Sequence, residues 1–214
     1  MKKETFYIIL KSRKFLHVYL PILLLAAAIF YLAPGYETYT PVSPEKRPPS
    51  WAQPLPESKI GNFYKVSDSI YRGDRPTAND LKDLQNIGVK TLLDLEYFHT
   101  DRYVVRESKT NFKFLHIRMN PWDIDDEDIV TALDILTDKN NYPIYVHCKH
   151  GSDRTGVVIA MYRIVVQGWT KAEALAEMKG GGYGFHVVWE NIPEYIQKVD
   201  IEKIKSLMLP ENVE

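Results

Sequence analysis

A short segment of the chain combines a nucleophile and a strong cation at a fixed spacing. It reads VHCKHGSDRTG, and it places the single cysteine of the protein, Cys148, six residues before Arg154. A thiolate is the reactive form of cysteine. A guanidinium binds two oxygens of one phosphate group because its N–H groups form a planar fork. The pair therefore indicates nucleophilic chemistry on a phosphate ester.

The elements on either side of this segment would position the pair. The stretch PIYVH, residues 143–147, is typical of a short buried strand, and residues 155–167 form an apolar helix that Gly168 ends. A loop between such a strand and helix directs backbone N–H groups and the positive helix end at one point, which favours an anion. The residues predicted to bind the phosphate are Lys149, His150, Gly151, Ser152, Asp153 and Arg154.

Two neighbours of the loop are predicted to support the nucleophile. His147 precedes Cys148 on the strand, so its side chain points away from the pocket, and we expect it to bond backbone near the loop and orient the cysteine. Thr155 can donate its hydroxyl to the Cys148 sulfur. A lone cysteine at a strand end is otherwise most often a small buried hydrophobe, and the accompanying Arg154 and Gly151 favour catalysis over that reading.

The segment resembles a known signature. His147-Cys148-x-x-Gly151-x-x-Arg154-Thr155 is similar to the HCxxGxxR(S/T) motif of protein tyrosine and dual-specificity phosphatases, and residues 60–196 resemble the compact bacterial members. The resemblance implies hydrolysis of a phosphoprotein through a phosphocysteine intermediate, with no metal or other cofactor. It also implies a separate aspartate, ahead of a helix, that protonates the leaving oxygen.

The region that should hold this acid contains several carboxylates. Asp123 follows Trp122 and precedes the predicted helix by a few residues, an order similar to the acid loop of tyrosine phosphatases. Asp125 and Asp126 lie at the helix start, where acidic residues cap the helix and favour its dipole. Asp123 is therefore the predicted general acid, with Asp125 and Asp126 as alternatives.

The remaining pattern predicts an α/β domain with a central, mostly parallel sheet flanked by helices. Strands are predicted in residues 62–66, 69–72, 89–95 and 112–119, and helices after Thr77 and over 125–139. The turn at 71–76 is predicted to be structural, with Arg72 bonding loop carbonyls. The glycine-rich residues 180–184 are interpreted as a flexible connection. His99, His116 and His186 show no metal-ligand spacing.

The first part of the chain has a different composition. Residues 1–14 are basic, 15–33 are apolar and long enough for a transmembrane helix, and 34–57 are rich in proline, which predicts an extended linker to a phosphatase domain at 58–210. The positive-inside tendency places the domain outside the cytoplasm, and the bacterial resemblance suggests the periplasm. A cleaved signal peptide is the alternative.

The charge of the chain indicates which kinds of binding partner and substrate it can have. The formal net charge is −1, which argues against nucleic acid as a partner. Lys149 and His150 add local positive charge that would suit phosphoinositides or inositol phosphates, so a phosphatase for those substrates is one alternative. A module that binds a phosphorylated partner without turnover is another. One cysteine excludes an internal disulfide and a multi-cysteine metal site.

Overall fold

The computed structural model describes residues 20–22 and 38–208. The predicted transmembrane segment at 15–33 lies almost entirely outside these residues. Among the described residues, the structure contains no helix with the length and apolar character needed to span a bilayer.

Within residues 38–208, six strands form one mixed sheet. The strands are β1 (Gln53–Pro54), β2 (Tyr64–Lys65), β3 (Ile70–Gly73), β4 (Thr91–Asp94), β5 (Lys113–His116) and β6 (Ile144–His147). Their order across the sheet is β1-β2-β3-β6-β4-β5. β3, β6, β4 and β5 pair in parallel, whereas β1 and β2 add antiparallel pairings at one edge. The predicted parallel core is present, and the complete sheet is mixed.

Helices cover both faces of this sheet. They are α1 (Ala78–Asn86), α2 (Arg102–Ser108), α3 (Asp126–Thr137), α4 (Asp153–Val165), α5 (Lys171–Gly180), α6 (Asn191–Lys198) and α7 (Ile201–Leu207). Alternate residues of the central strands enter two separate cores. Leu92 and Tyr145 pack with α1, and Leu93 and Val146 pack with α3 and α4. Full burial of such a leucine contributes about 1.5–3 kcal/mol.

Local signals in the sequence set several helix ends. Thr77 accepts a hydrogen bond from the Asp80 amide, and the Asp80 carboxylate accepts one from the Thr77 amide, so α1 begins with a capping box. Gly168 follows α4 with a φ of 72°, the left-handed conformation that glycine adopts without strain. Ile87 follows the last residue of α1, Asn86, and is 48% exposed.

The proline-rich segment is packed where it is described. Residues 38–56, the N-terminal strap, are largely extended, but the prediction that they form no packed element is wrong. Ala52 is fully buried and its amide donates to Glu177 Oε1 at 2.6 Å. Arg47 donates to Gly181 O at 2.7 Å and to the Tyr183 hydroxyl at 2.9 Å. Prolines keep the backbone extended, and these polar contacts hold it against the domain.

Candidate active site

Cys148 lies immediately after β6, at the point where the chain turns into the loop that leads to α4. Its side chain is 2% exposed and belongs to the same core as Val146, two residues earlier on the strand. Arg154 is the second residue of α4. The strand-loop-helix arrangement predicted from the sequence is therefore present, with the thiol at the base of the loop.

The loop backbone presents unpaired donors. In the described part of the chain, the N–H groups of residues 149–152 donate to no backbone or side-chain acceptor. The same loop leads directly into the N-terminus of α4, whose first-turn N–H groups carry partial positive charge. Unpaired amides next to a helix N-terminus form a cradle for an anion. Phosphate is a ligand of matching size and charge.

A turn from a neighbouring strand supports the loop from below. Gly151 has a φ of 65°, and a Cβ there would lie 2.3 Å from Gly73 O, so both the conformation and the space require glycine. Arg72, fully buried, donates to Gly151 O at 2.6 Å, and its guanidinium lies 3.8 Å from the centre of the Tyr183 ring. The Arg75 amide donates to Lys149 O at 3.4 Å. The predicted structural role of this turn is confirmed.

Arg154 is available to bind an anion. Its side chain is partly exposed and makes a single hydrogen bond, from Nη1 to Leu95 O at 3.4 Å. Among the described residues it has no carboxylate within ion-pair distance. A guanidinium has five N–H donors, so most of its donors are free. This contrasts with Arg72, which is enclosed in the core and bonded to the loop.

The contacts of His147 and Thr155 differ from those predicted for the two residues that support the nucleophile. His147 is fully buried on the face opposite Cys148, but its Nε2 lies 3.2 Å from Asp101 Oδ2 rather than against backbone. The predicted backbone bond is wrong because the N-terminus of α2 brings a carboxylate to this position. The buried Thr155 hydroxyl has no hydrogen-bond partner among the described residues, so donation to Cys148 stays a prediction.

The glycine-rich segment after α5 holds the other side of the loop. Tyr183 O accepts hydrogen bonds from Ser152 Oγ at 2.6 Å and from Asn62 Nδ2 at 2.8 Å. Tyr183 is also 1% exposed. The interpretation of residues 180–184 as a flexible connection is therefore wrong. Glycines in this segment, at positive φ, permit a tight turn that places the Tyr183 carbonyl on the loop.

His186, two residues after the glycine-rich segment, binds the first residue of α4, Asp153. Its backbone amide donates to Asp153 Oδ1 at 2.9 Å, and its ring Nδ1 lies 2.9 Å from Asp153 Oδ2. This hydrogen bond raises the pKa of His186, and burial, with the nearby His186, lowers the pKa of His150. The treatment of His186 as an ordinary residue missed this pair, since 33 residues separate the partners and no local pattern links them.

The structure separates the three carboxylates predicted as possible acids. Asp125 caps α3 by accepting the Asp128 amide. Asp126 accepts the Tyr195 hydroxyl at 2.9 Å and Lys203 Nζ at 2.6 Å, so it has a structural role. Asp123 is exposed, and its carboxylate makes no hydrogen bond or ion pair within the described residues. Asp123 therefore remains the carboxylate that is free to react.

The segment carrying Asp123 is attached to α6. Pro121 O accepts a hydrogen bond from Asn191 Nδ2 at 2.8 Å, and the Trp122 ring packs edge-on against Trp189 with centroids 5.2 Å apart. Trp122 nevertheless remains 64% exposed. These contacts restrain the backbone before Asp123 while leaving its side chain in solvent.

Groups of metal-ligating side chains occur at two places in the described domain. His150, Asp153 and His186 have ligand atoms within 4.8 Å of one another, and so do Asp94, Glu96 and His147. The spacing of the histidines along the sequence could not indicate either group, because each is assembled from separate elements.

A half-buried carboxylate beside the loop provides a test of the local electrostatics. Burial, with the nearby Asp80, raises the pKa of Asp74 to about 6. The unfolded value is lower, so the folded state is penalised above pH 6, and stability increases as the pH falls from 6 towards 4. We expect Asp74→Asn to raise the Tm at pH 7.5 by about 2–4 °C, which corresponds to about 1 kcal/mol after solvent screening.

Thermal melts across pH 4 to 8 would check this prediction. The gain from Asp74→Asn should shrink to zero near pH 4, where the wild-type carboxyl is also neutral. The exposed Asp83→Asn is the matched control and should leave the pH profile of the Tm unchanged. A gain that is equal at pH 4 and pH 7.5 would contradict the assignment to Asp74 ionisation.

Comparison with known proteins places these features in context. Residues 59–211 match the model of the tyrosine phosphatase family. The dual specificity protein phosphatase TpbA of Pseudomonas aeruginosa is 32% identical over 187 residues, which cover 87% of this chain and 84% of TpbA. The crystal structure of a cysteine-to-serine TpbA variant in complex with phosphotyrosine has a TM-score of 0.68 and 32% identity, covering 76% of this chain and 98% of that one.

A second similarity is to a phosphatase with a different kind of substrate. The core catalytic domain of the PP-IP phosphatase SIW14 from Saccharomyces cerevisiae, in complex with citrate, has a TM-score of 0.61 and 25% identity. The match covers 69% of this chain and 91% of that one. The fold is thus similar to those of phosphatases from two kingdoms.

Proposed function

Because this chain belongs to the tyrosine phosphatase family, we propose that it hydrolyses phosphotyrosine in proteins through a phosphocysteine intermediate. One observation carries the proposal: the buried Cys148 lies at the base of a loop whose amides at 149–152 are unpaired. The name of TpbA and its complex with phosphotyrosine support this substrate class. Phosphoserine and phosphothreonine in proteins are secondary substrates in this proposal.

The first step transfers the phosphoryl group to sulfur. The Cys148 thiolate attacks phosphorus while the bond between phosphorus and the tyrosine oxygen breaks. The amides of 149–152 and the Arg154 guanidinium bind the three non-bridging oxygens, where negative charge is concentrated in the transition state. Asp123, as the carboxylic acid, gives its proton to the tyrosine oxygen. The products of the step are the dephosphorylated tyrosine side chain of the substrate and phosphocysteine.

The second step regenerates the enzyme. A water molecule attacks the phosphorus of phosphocysteine, and the Asp123 carboxylate accepts the proton that the water loses. The bond between sulfur and phosphorus breaks, inorganic phosphate leaves, and Cys148 returns to the thiolate form. The Thr155 hydroxyl, which is buried without a partner among the described residues, can donate a hydrogen bond to the departing sulfur.

The role of Asp123 is tested by replacing it with asparagine. We expect Asp123→Asn to lower kcat for phosphotyrosine by about 10²- to 10⁴-fold, the usual contribution of a positioned acid. The loss should be much smaller for an aryl phosphate with a good leaving group, because that oxygen leaves without a proton. Steady-state kinetics with both substrates would measure the difference.

Asp128→Asn is the matched control for this experiment. Burial, with Asp125 and Glu127 nearby, raises the pKa of Asp128 to about 6, a value suited to acid catalysis, although the residue lies within the first turn of α3. We expect Asp128→Asn to retain activity towards both substrates. A selective loss in Asp128→Asn together with normal Asp123→Asn kinetics would transfer the acid role to Asp128.

Inositol phosphates are the second candidate substrate class. Lys149 and His150 are exposed on the loop, and the name of SIW14 refers to such a substrate. Phosphate release should therefore be compared for phosphotyrosine, phosphoserine and phosphothreonine peptides and for inositol pyrophosphates. We expect kcat/KM to be at least tenfold higher for tyrosine peptides. Preference for inositol substrates would replace the substrate assignment, and no release from any substrate would indicate a phosphate-recognition module.

We further propose that the protein is anchored in the membrane with its catalytic domain outside the cytoplasm, in the periplasm of a bacterium. The basic residues 1–14 and the apolar residues 15–33 support this orientation. Protease added to spheroplasts should digest the catalytic domain. In a separate experiment without protease, the protein should remain in the membrane fraction after a carbonate wash. Protection from protease, or release from the membrane by the wash, would contradict the proposal.

A further inference from the structure

We propose that His150, Asp153 and His186 form a binding site for a divalent transition-metal ion, represented experimentally by Zn²⁺, on the rim of the catalytic loop. His150 belongs to the loop, Asp153 is the first residue of α4, and His186 follows the glycine-rich segment that supports the loop. The site does not include the nucleophile, and its three side chains take no part in the hydrolysis described above, although the backbone amide of His150 is one of those assigned to the phosphate.

Two of the ligands already have suitable separations. The Nδ1 atom of His186 lies 2.9 Å from Asp153 Oδ2 and 3.1 Å from Oδ1. Ligand atoms bound about 2.0–2.1 Å from a tetrahedral Zn²⁺ are about 3.3 Å apart. An ion can therefore bind both residues once the Nδ1 proton of His186 has passed to solvent and the pair has separated by a few tenths of an ångström.

The third ligand is close and free to move. One ring nitrogen of His150 lies within 4.8 Å of the other two ligand atoms, and its ring centroid is 5.4 Å from that of His186. The His150 side chain is exposed, and its ring makes no hydrogen bond in the described part of the chain. A rotation of this side chain brings its nitrogen to the ion at little cost.

The chemistry of the three ligands defines the class of ion. Two imidazoles and one carboxylate suit Zn²⁺ and other late first-row ions better than Mg²⁺ or Ca²⁺, which prefer oxygen ligands. The His186 amide donates to Asp153 Oδ1, so the carboxylate is oriented before an ion arrives. Three protein ligands leave a fourth position for water.

The second group of ligating residues is less accessible to an ion than the group around His150. Asp94, Glu96 and His147 are all buried, and both oxygens of Glu96 are bonded to the Arg75 guanidinium. An ion would have to displace this ion pair and enter the core. At the group around His150, an ion would displace only the hydrogen bond between two of its own ligands, His186 and Asp153, and it can enter from the surface beside the exposed His150.

Metal binding is expected to inhibit the enzyme. The His150 amide is one of those that would hold the phosphate, and Asp153 follows the last of them, so an ion that draws these residues together with His186 changes the positions of those amides. A displacement of about 1 Å in a positioned group can cost about 10² in rate. Removal of the ion by a chelator should restore activity fully, since no covalent bond is formed.

Titration calorimetry with Zn²⁺ tests the site in the Cys148→Ser protein, which lacks a thiol that could bind the metal. We expect one ion per chain and a Kd in the micromolar range. His150→Ala and His186→Ala, each made in that background, should weaken binding at least tenfold. His99→Ala is the matched control, because His99 pairs with a carboxylate in the same way, at 3.1 Å from Asp101, but belongs to neither group of ligating residues in the described domain, and it should leave the Kd unchanged.

Two further readouts separate loss of the site from loss of the fold. Zn²⁺ should raise the Tm of the Cys148→Ser protein, as ligands that bind the native state do, and it should not raise the Tm of the His150→Ala variant. Absence of stoichiometric binding to Cys148→Ser, or an unchanged Kd in either histidine variant, would overturn the proposal. None of these measurements requires turnover, so their failure would leave the proposed phosphatase activity untouched.

Discussion

Replacement of Cys148 by serine is expected to abolish phosphate release from an aryl phosphate, with a loss of about 10⁴- to 10⁶-fold, as for other essential nucleophiles. A serine hydroxyl is not ionised at neutral pH, so it cannot replace the thiolate in the attack on phosphorus. The change removes no disulfide, because Cys148 is the single cysteine of the chain. The substitution is nearly isosteric, so the loop should keep its shape.

Binding measurements make this prediction specific. The Cys148→Ser protein should still bind inorganic phosphate, because the amides of 149–152 and Arg154 remain. In the wild-type protein, iodoacetamide should label Cys148 at pH 7, and inorganic phosphate should protect it. Retained turnover in Cys148→Ser would refute the mechanism. Loss of both turnover and phosphate binding would instead indicate a collapsed loop.

Features determined by neighbours in the sequence were predicted well. The α1 cap at Thr77 involves a partner three residues away, and it is present. The buried strand β6 and the apolar helix α4 follow from composition and periodicity alone. Together these elements place Cys148 and Arg154 at the two ends of one loop. Helix α2 was not predicted, since its short sequence, RYVVRES, shows no clear helical period.

Features that depend on distant partners were not predictable. The loop is supported by Arg72 from one side and by Tyr183 from the other, and each contact joins residues at least 31 positions apart. Arg47 of the N-terminal strap then bonds Tyr183 across 136 positions. A glycine-rich or proline-rich composition describes backbone freedom but does not identify the surface against which a segment packs. The third ligand of the proposed metal site is hidden from the sequence for the same reason.

Replacement of Arg154, whose guanidinium is largely free to bind phosphate, is the second change for which we expect a large loss of activity. We expect Arg154→Lys to lower kcat by about 10²- to 10³-fold, the cost of losing a transition-state donor. Lysine keeps the positive charge, but its ammonium cannot donate two parallel hydrogen bonds to one phosphate. The loss should therefore appear in kcat as well as in phosphate affinity. Because Arg154 makes a single long bond within the described protein, the Tm should be unchanged.

The Arg106→Lys variant is the matched control for this measurement. Arg106 is exposed on α2, where its guanidinium lies over the Tyr103 ring, and the same substitution there should leave kcat and phosphate affinity at wild-type values. If Arg154→Lys retained full kcat, charge alone would suffice at this position and bidentate binding of the phosphate would be excluded. An arginine whose donors are unpaired until a ligand binds contributes little to the stability of the free protein. A large drop in Tm would therefore show instead that Arg154, like Arg72, supports the fold.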